Sequence, residues 1–229
     1  MICITGRSSV LKCTLFPAYD LSSSSEWEMG FLDLFTYNSI PNVEENVNNM
    51  MYFESESVSL PTGSYEIEDI NKSIVKLLEE KQSKIKFELI ANNNTLKSEI
   101  KCSSSIDFSK PNSLGKLLGF ENNRILEANK WHISPREVTI NKVDVIRITC
   151  NLVRGSYRNG VEGHVLHEFY PVVEPGFKIV EKPTTIQFLP INKQSSLTEF
   201  EIRLEDQDGD LINFRGENIN LRVAIRPRG

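Results

Sequence analysis

The side chains that could do chemistry are few and scattered. His164 and His167 sit beside Glu168, and His132 stands next to Trp131. Two imidazoles and a carboxylate are donors for a metal site. Their spacing argues against one, because residues three apart on a strand point to opposite faces and the two rings would not converge. No histidine follows His167 to complete such a set. Asp206-Gln207-Asp208-Gly209 has the composition of a calcium loop. With Gly209 at the invariant glycine, however, Leu204 falls at the first ligand position and Arg215 at the bidentate glutamate. Ligand count and charge both fail, so the segment reads as a hairpin turn. There is no G-x-S-x-G elbow, phosphate loop or dinucleotide fingerprint. The repeated Gly63-Ser64-Tyr65 and Gly155-Ser156-Tyr157 fall where turns are expected. The expectation is a non-enzyme with no catalytic, cofactor-binding or metal-binding residues. A metal-dependent enzyme would have to use His164 or His167.

Charge is the next constraint. The net charge is −5, and from Cys13 through Asn71 there is no Lys or Arg at all. Asp20, Glu26, Glu28, Asp33, Glu44, Glu45, Glu54, Glu56, Glu66, Glu68 and Asp69 fall inside that block. Such a block does not grip a phosphate backbone; it reads as a solvated acidic face or a dock for a basic partner. Arg222, Arg226 and Arg228 lie near the end without interleaved aromatics and read as a solvated strand face. Direct nucleic-acid binding is not expected. Cys3, Cys13, Cys102 and Cys150 form no C-x-x-C pair, and the N-terminus lacks a basic region followed by an apolar stretch. The thiols are therefore expected reduced and mostly buried, in a chain that is not secreted. The sequons at Asn71 and Asn93 then read as chance matches. No apolar run is long enough for a membrane helix.

The elements that would position these groups are mostly strands. Phe200, Ile202 and Leu204 alternate with charged residues, and Ile219, Leu221, Val223 and Ile225 do the same, which is the period of a half-buried strand. Val143 to Leu152 is the most β-branched run and predicts a central strand. Trp27 to Tyr37 predicts another, with its phase disturbed near Gly30 as by a bulge. Lys84 to Cys102 predicts a hairpin turning at Asn92-Asn93-Asn94, and Asn159-Gly160 and Pro175-Gly176 mark further turns. Val165–Phe169, Phe177–Val180 and Thr185–Leu189 are strands, and Met50–Phe53 and Val58–Leu60 are short ones.

Two helices are expected. Ile67, Ile70, Ile74, Leu77 and Leu78 fall at helical spacing behind Ser64 as N-cap, with Glu66, Glu68 and Asp69 in the first turn. One apolar stripe means this helix lies across a sheet. Ser113 to Phe120 reads as a short helix stopped by Gly119. Pro17 and the serine run at 22–25 make residues 1–25 an N-terminal arm or irregular lead-in. No linker divides the rest, so residues 26–229 are taken as one jelly-roll β-sandwich domain. The fold class is mainly β, an antiparallel β-sandwich of single jelly-roll type with one amphipathic and one short helix.

Several phrases, in order, resemble a known family. They are Leu34-Phe35-Thr36-Tyr37-Asn38-Ser39-Ile40-Pro41-Asn42, Pro61-Thr62-Gly63-Ser64-Tyr65-Glu66-Ile67, Ser113-Leu114-Gly115-Lys116-Leu117-Leu118-Gly119-Phe120, Cys150 through Tyr157, and Asp206 through Glu217. Together, from about Phe31 to Arg226, they resemble the minor capsid (penton) proteins of Maverick/Polinton elements and adintoviruses. The resemblance implies a structural virion protein. It would be a single jelly roll forming a homopentamer at icosahedral vertices, beside a major capsid protein, found in the virion and in the nucleus or cytoplasm during assembly. It names no site residues, since such interfaces use edges, loops and arms. The alternative is a host-encoded, domesticated β-sandwich that binds another protein without catalysis.

Overall fold

The alternation of apolar and polar residues resolves into strands throughout the computed structural model, which describes residues 1–24, 26–140 and 142–228. The chain opens with β1 (Ile2–Gly6), β2 (Val10–Asp20) and β3 (Trp27–Tyr37). It continues through β4 (Met50–Tyr52), β5 (Ser57–Ser59), helix α1 (Ile67–Glu80), β6 (Phe87–Asn92), β7 (Lys97–Cys102), β8 (Ile106–Asp107), β9 (Ile125–Leu126) and β10 (Trp131–Ile133). It closes with β11 (Ile146–Cys150), β12 (Ser156–Arg158), β13 (Val161–Gly163), β14 (Val165–Phe169), β15 (Lys178–Glu181), β16 (Phe188–Pro190), β17 (Ser196–Glu205) and β18 (Ile219–Pro227).

The chain divides into two units, one of Met1–Ile40 with Val143–Gly229 and one of Pro41–Lys142. In the first, one sheet runs β1-β18-β3-β15, with β16 also on β3, and the other runs β14-β11-β17-β2. Setting aside the short β16 and the β12–β13 hairpin, eight strands remain among the described residues of the unit. One sheet then holds the first, eighth, third and sixth of them; the other holds the fifth, fourth, seventh and second. That order is the double Greek key of a jelly roll. Met29, Phe31, Leu34, Ile146, Ile148, Ile202, Leu204, Leu221 and Val223 fill the space between the sheets, each almost wholly buried. Burial of each such side chain is worth about 1.5–3 kcal/mol.

The second unit has its own core. Ile67, Ile70, Ile74 and Leu78, the stripe of α1, are buried with Phe87, Leu89 and Ile100 of the β10-β7-β6 sheet and with Phe53, Phe108 and Leu118. Asn42 donates its side-chain amide to the carbonyls of Tyr65 and Ile140, and Lys142 pairs with Glu44. The two ends of this unit therefore lie together, which is the geometry an insertion between β3 and β11 requires.

Four expectations are corrected. The expected arm at residues 1–25 is not one over its described residues 1–24: β1 pairs with β18 and β2 with β17, and Ile4 and Leu11 are buried. The alternation of Leu11, Cys13 and Leu15 was the signal, and Pro17 is tolerated because β2 is an edge strand that needs no donor there. Residues 26–229 are not one sandwich, since Pro41–Lys142 is a separate unit with no linker composition to mark it. Ser113–Phe120 is a run of turns rather than a helix. Gly119 has φ +81°, and a Cβ there would lie 2.3 Å from the carbonyl oxygen of Arg136. Helix α1 is capped by Glu66, without a side-chain cap bond, and not by Ser64.

Other expectations are met. β11 is internal to its sheet, and β6–β7 form the expected hairpin, although its left-handed residue is Leu96 and not an asparagine. β3 and β18 shift register between Arg222 and Val223, opposite Leu32 and close to the expected bulge at Gly30. Asn159 and Gly160 both take positive φ, as a tight hairpin turn between β12 and β13 requires.

Candidate functional site

β14 carries His167 and Glu168 to opposite faces of its sheet. His167 pairs in register with Ile148, whose side chain is in the core, so the imidazole turns inward. It stacks on Phe31 of the facing sheet at 4.5 Å between ring centroids, lies 6.1 Å from the Phe169 ring, and shares a 2.8 Å hydrogen bond with Oε1 of Glu181 on β15. β14 and β15 are the outer strands of the two sheets on the same edge. The His167–Glu181 pair therefore ties the sandwich shut there.

His164 lies just before β14, and its Nδ1 is 2.6 Å from the carbonyl oxygen of Val153. His132, in the second unit, meets the carbonyl of Glu127 through Nε2 at 2.9 Å. The three imidazoles are thus held separately, and no cluster of three metal-ligating residues occurs among the described residues.

Glu168 faces outward and meets Arg147, a residue the sequence reading did not single out. The Arg147 side chain is only 8% exposed. Its Nε donates to Oε2 of Glu168 at 2.8 Å, and its Nη1 donates to the carbonyl of Asp206 at 2.9 Å. Arg158, on β12, donates to the next carbonyl, that of Gln207, at 2.5 Å. The β12–β13 hairpin is thereby anchored over the outer face of its sheet. An open cleft of about 590 Å³ runs beneath it, lined by Thr149, Asn151, Arg158, Val161, Glu201 and Arg203. Arg203 pairs with Glu205 at 3.2 Å and Glu201 with Lys12 at 3.9 Å. The charged residues Glu201 and Arg203 of the lining are thus paired, and the rest of the cleft surface is mostly apolar.

The Asp206-to-Asp210 segment is closed on itself. Oδ1 of Asp206 accepts the backbone N–H groups of Asp208 and Asp210, both at 2.9 Å, and the Asp206 N–H donates to the Asp210 carbonyl at 2.9 Å. Oδ1 of this carboxylate is engaged in the turn. The turn does not join a simple hairpin, however: after a bridge between Glu205 and Leu211 the chain crosses to the other sheet, so β17 and β18 lie on opposite sides of the core.

The acidic block and the C-terminal arginines answer each other. Arg222 Nε donates to Asp33 at 2.7 Å, Arg226 to Glu28 at 3.1 Å and Arg228 to Glu26 at 2.9 Å, all across the β3–β18 pairing or its end. Arg222 and Arg226 lie on the β18 face and Arg228 just past its end, and all three are engaged by carboxylates there. The four thiols are free of disulfides. Cys102 and Cys150 are buried, Cys13 is half-buried and Cys3 is exposed. Burial pushes the Cys150 thiol up to about 11, and its Sγ rests 3.7 Å from the Met29 sulfur, a packing contact and not a nucleophile's setting.

What the surface offers instead is apolar. Phe16 is fully exposed on β2, and Tyr170, Val172 and Phe177 stand out from the β14–β15 connection.

The chain matches no family model and no curated protein. Among solved structures it is similar to the crystal structure of the selenomethionine-labelled mavirus penton protein. The two share 10% identity over 96% of this chain and 92% of that chain, with a TM-score of 0.47.

Proposed function

We propose that this protein is a structural virion component, a penton-like minor capsid subunit of the Maverick/Polinton and adintovirus kind. It assembles as a homopentamer at icosahedral vertices, against a major capsid protein. The observation that carries the reading is the complete jelly-roll strand order of the first unit, in a chain whose phrases resemble that family. A jelly roll alone hosts many functions, and capsid subunits are among them. A ring must repeat one heterologous contact, and permanent contacts of that kind bury about 2,000 Å² or more. The work of such a protein is assembly, driven by burial of edges and loops.

Mass in solution tests the reading. Light scattering on a sizing column is expected to show a species of five 26.1 kDa chains. A monomer at every concentration, alone or mixed with the major capsid protein of the same genome, overturns the homopentamer.

A further inference from the structure

The two edges of the jelly-roll unit differ in a way that assigns them partners. On one edge, β2 leaves the regular ladder. Tyr19 pairs with Leu197 and Thr14 with Glu199, so the four residues Leu15–Ala18 lie opposite Thr198 alone. The excess length bows outward, and Pro17 offers no N–H to draw it back. Phe16, at the bow, is 100% exposed. A fully solvated phenylalanine on a built protrusion is a poor way to end a monomer's surface and a good anchor for a contact, since aromatic anchors dominate interface energies.

The opposite edge presents a platform. Tyr170, Val172 and Phe177 are 67%, 90% and 62% exposed on the β14–β15 connection. The platform is held firmly by Asn38 at the end of β3. The Asn38 N–H donates to the Phe177 carbonyl at 2.8 Å, its side-chain amide donates to the Val173 carbonyl at 2.7 Å, and its own carbonyl accepts the Gly176 N–H at 2.7 Å. A loop fixed from below by three hydrogen bonds presents its apolar side chains ready-ordered, which lowers the entropic cost of docking.

Each surface carries one adjacent charge of opposite sign: the exposed Glu199 flanks the bow next to Thr198, and the exposed Lys178 follows Phe177, although the exposed Glu174 stands in the same loop.

We propose that Phe16 is the knob of a head-to-tail contact between copies of this chain, received by Tyr170, Val172 and Phe177 on the opposite edge of the next copy. The inference rests on the homo-oligomeric reading above and names the surface that reading leaves open. Knob and receiver sit on opposite edges of one sandwich, so joining them leaves a free knob and a free receiver at the two ends. That is a heterologous contact, which closes a ring or runs on.

The test is a pair of variants, Phe16→Asp and Val172→Asp. Both positions are solvent-exposed, so unaltered far-UV circular dichroism is expected for each. Each variant alone is expected to fall from the wild-type assembly to the single-chain mass. Mixed one to one, they retain one intact contact, that of the Val172→Asp knob with the Phe16→Asp receiver. A species of two chains that grows no further is expected. A photo-crosslinking phenylalanine at position 16 of the otherwise wild-type chain is expected to attach to residues 170–180 of another copy. If the wild type is a pentamer and Phe16→Asp leaves its mass unchanged, or the crosslink maps elsewhere, the contact is wrong while the capsid reading stands. A wild type that stays monomeric both alone and with the major capsid protein removes both the contact and the homopentamer.

Discussion

Nε2 of His167 and Oε1 of Glu181 lie 2.8 Å apart across the edge of the sandwich, joining the outer strand of one sheet to the outer strand of the other. The same ring stacks on Phe31. Replacing His167 by Ala removes both the stack and the bond, at a cost of about 1–2 kcal/mol. A fall of a few degrees in Tm follows. His167→Phe keeps the stack but leaves Glu181 without its partner and is expected to fall between the two. A chelator is expected to leave the wild-type melting curve unmoved, because the ring is held by a carboxylate and an aromatic face.

Arg147 is the buried charge on which the outer face of the β14-β11-β17-β2 sheet rests. Arg147→Met strands the Asp206 carbonyl and frees Glu168, an expected loss of about 2–3 kcal/mol. Arg147→Lys restores at best one of the two bonds, since a lysine is a point donor and not a fork. Urea denaturation of the three proteins gives the order: wild type most stable, then Lys, then Met.

Cys150 gives stability a defined pH dependence. Burial raises its pKa from 9.0 to about 11, so the unfolded chain releases the proton first as pH rises. The stabilisation is present below about pH 9 and is lost as pH climbs toward 11, up to about 2 kcal/mol. Urea midpoints at pH 8 and pH 10.5 are expected to converge more in a Cys150→Ala protein than in wild type, although that variant begins less stable through its cavity. In the native protein at pH 8, Ellman's reagent is expected to modify the exposed Cys3 rapidly and Cys150 only after unfolding.

The inserted unit is expected to fold on its own. Its core is complete, and its ends are brought together by Asn42 with Ile140 and by Lys142 with Glu44. A chain of residues 41–142 is expected to give a dispersed amide spectrum and a cooperative melt. Joining Ile40 to Val143 through a short glycine-serine linker is expected to leave the jelly-roll unit folded. Collapse of either half into an unstructured chain would show that the two cores are not independent.

Sequence periodicity was enough to locate most strands, the helix stripe at Ile67, Ile70, Ile74 and Leu78, and the tight turn at Asn159-Gly160. These are local properties: side-chain alternation and backbone angles act over a few residues, and the chemistry of those residues states them. The turn character of Asp206-Gln207-Asp208-Gly209 was legible for the same reason, and Asp206 is folded back on its own turn. The strand in residues 10–20 was half legible, because Pro17 and the serine run look like a coil until an edge position makes them acceptable.

What only the tertiary structure decided is which distant residues meet. β17 and β18, adjacent in sequence and alike in pattern, go to opposite sheets, since alternation fixes which face is buried but not which sheet receives it. Nothing local marks Pro41–Lys142 as a separate unit, because its boundary is a change of partners and not of composition. Arg147, a single arginine on a β-branched strand, gains its role from Glu168 and Asp206. The arginines near the end find Asp33, Glu28 and Glu26 only when β18 lies beside β3. Phe16 and Val172 become two ends of one proposed contact only once the sheet order places them on opposite edges.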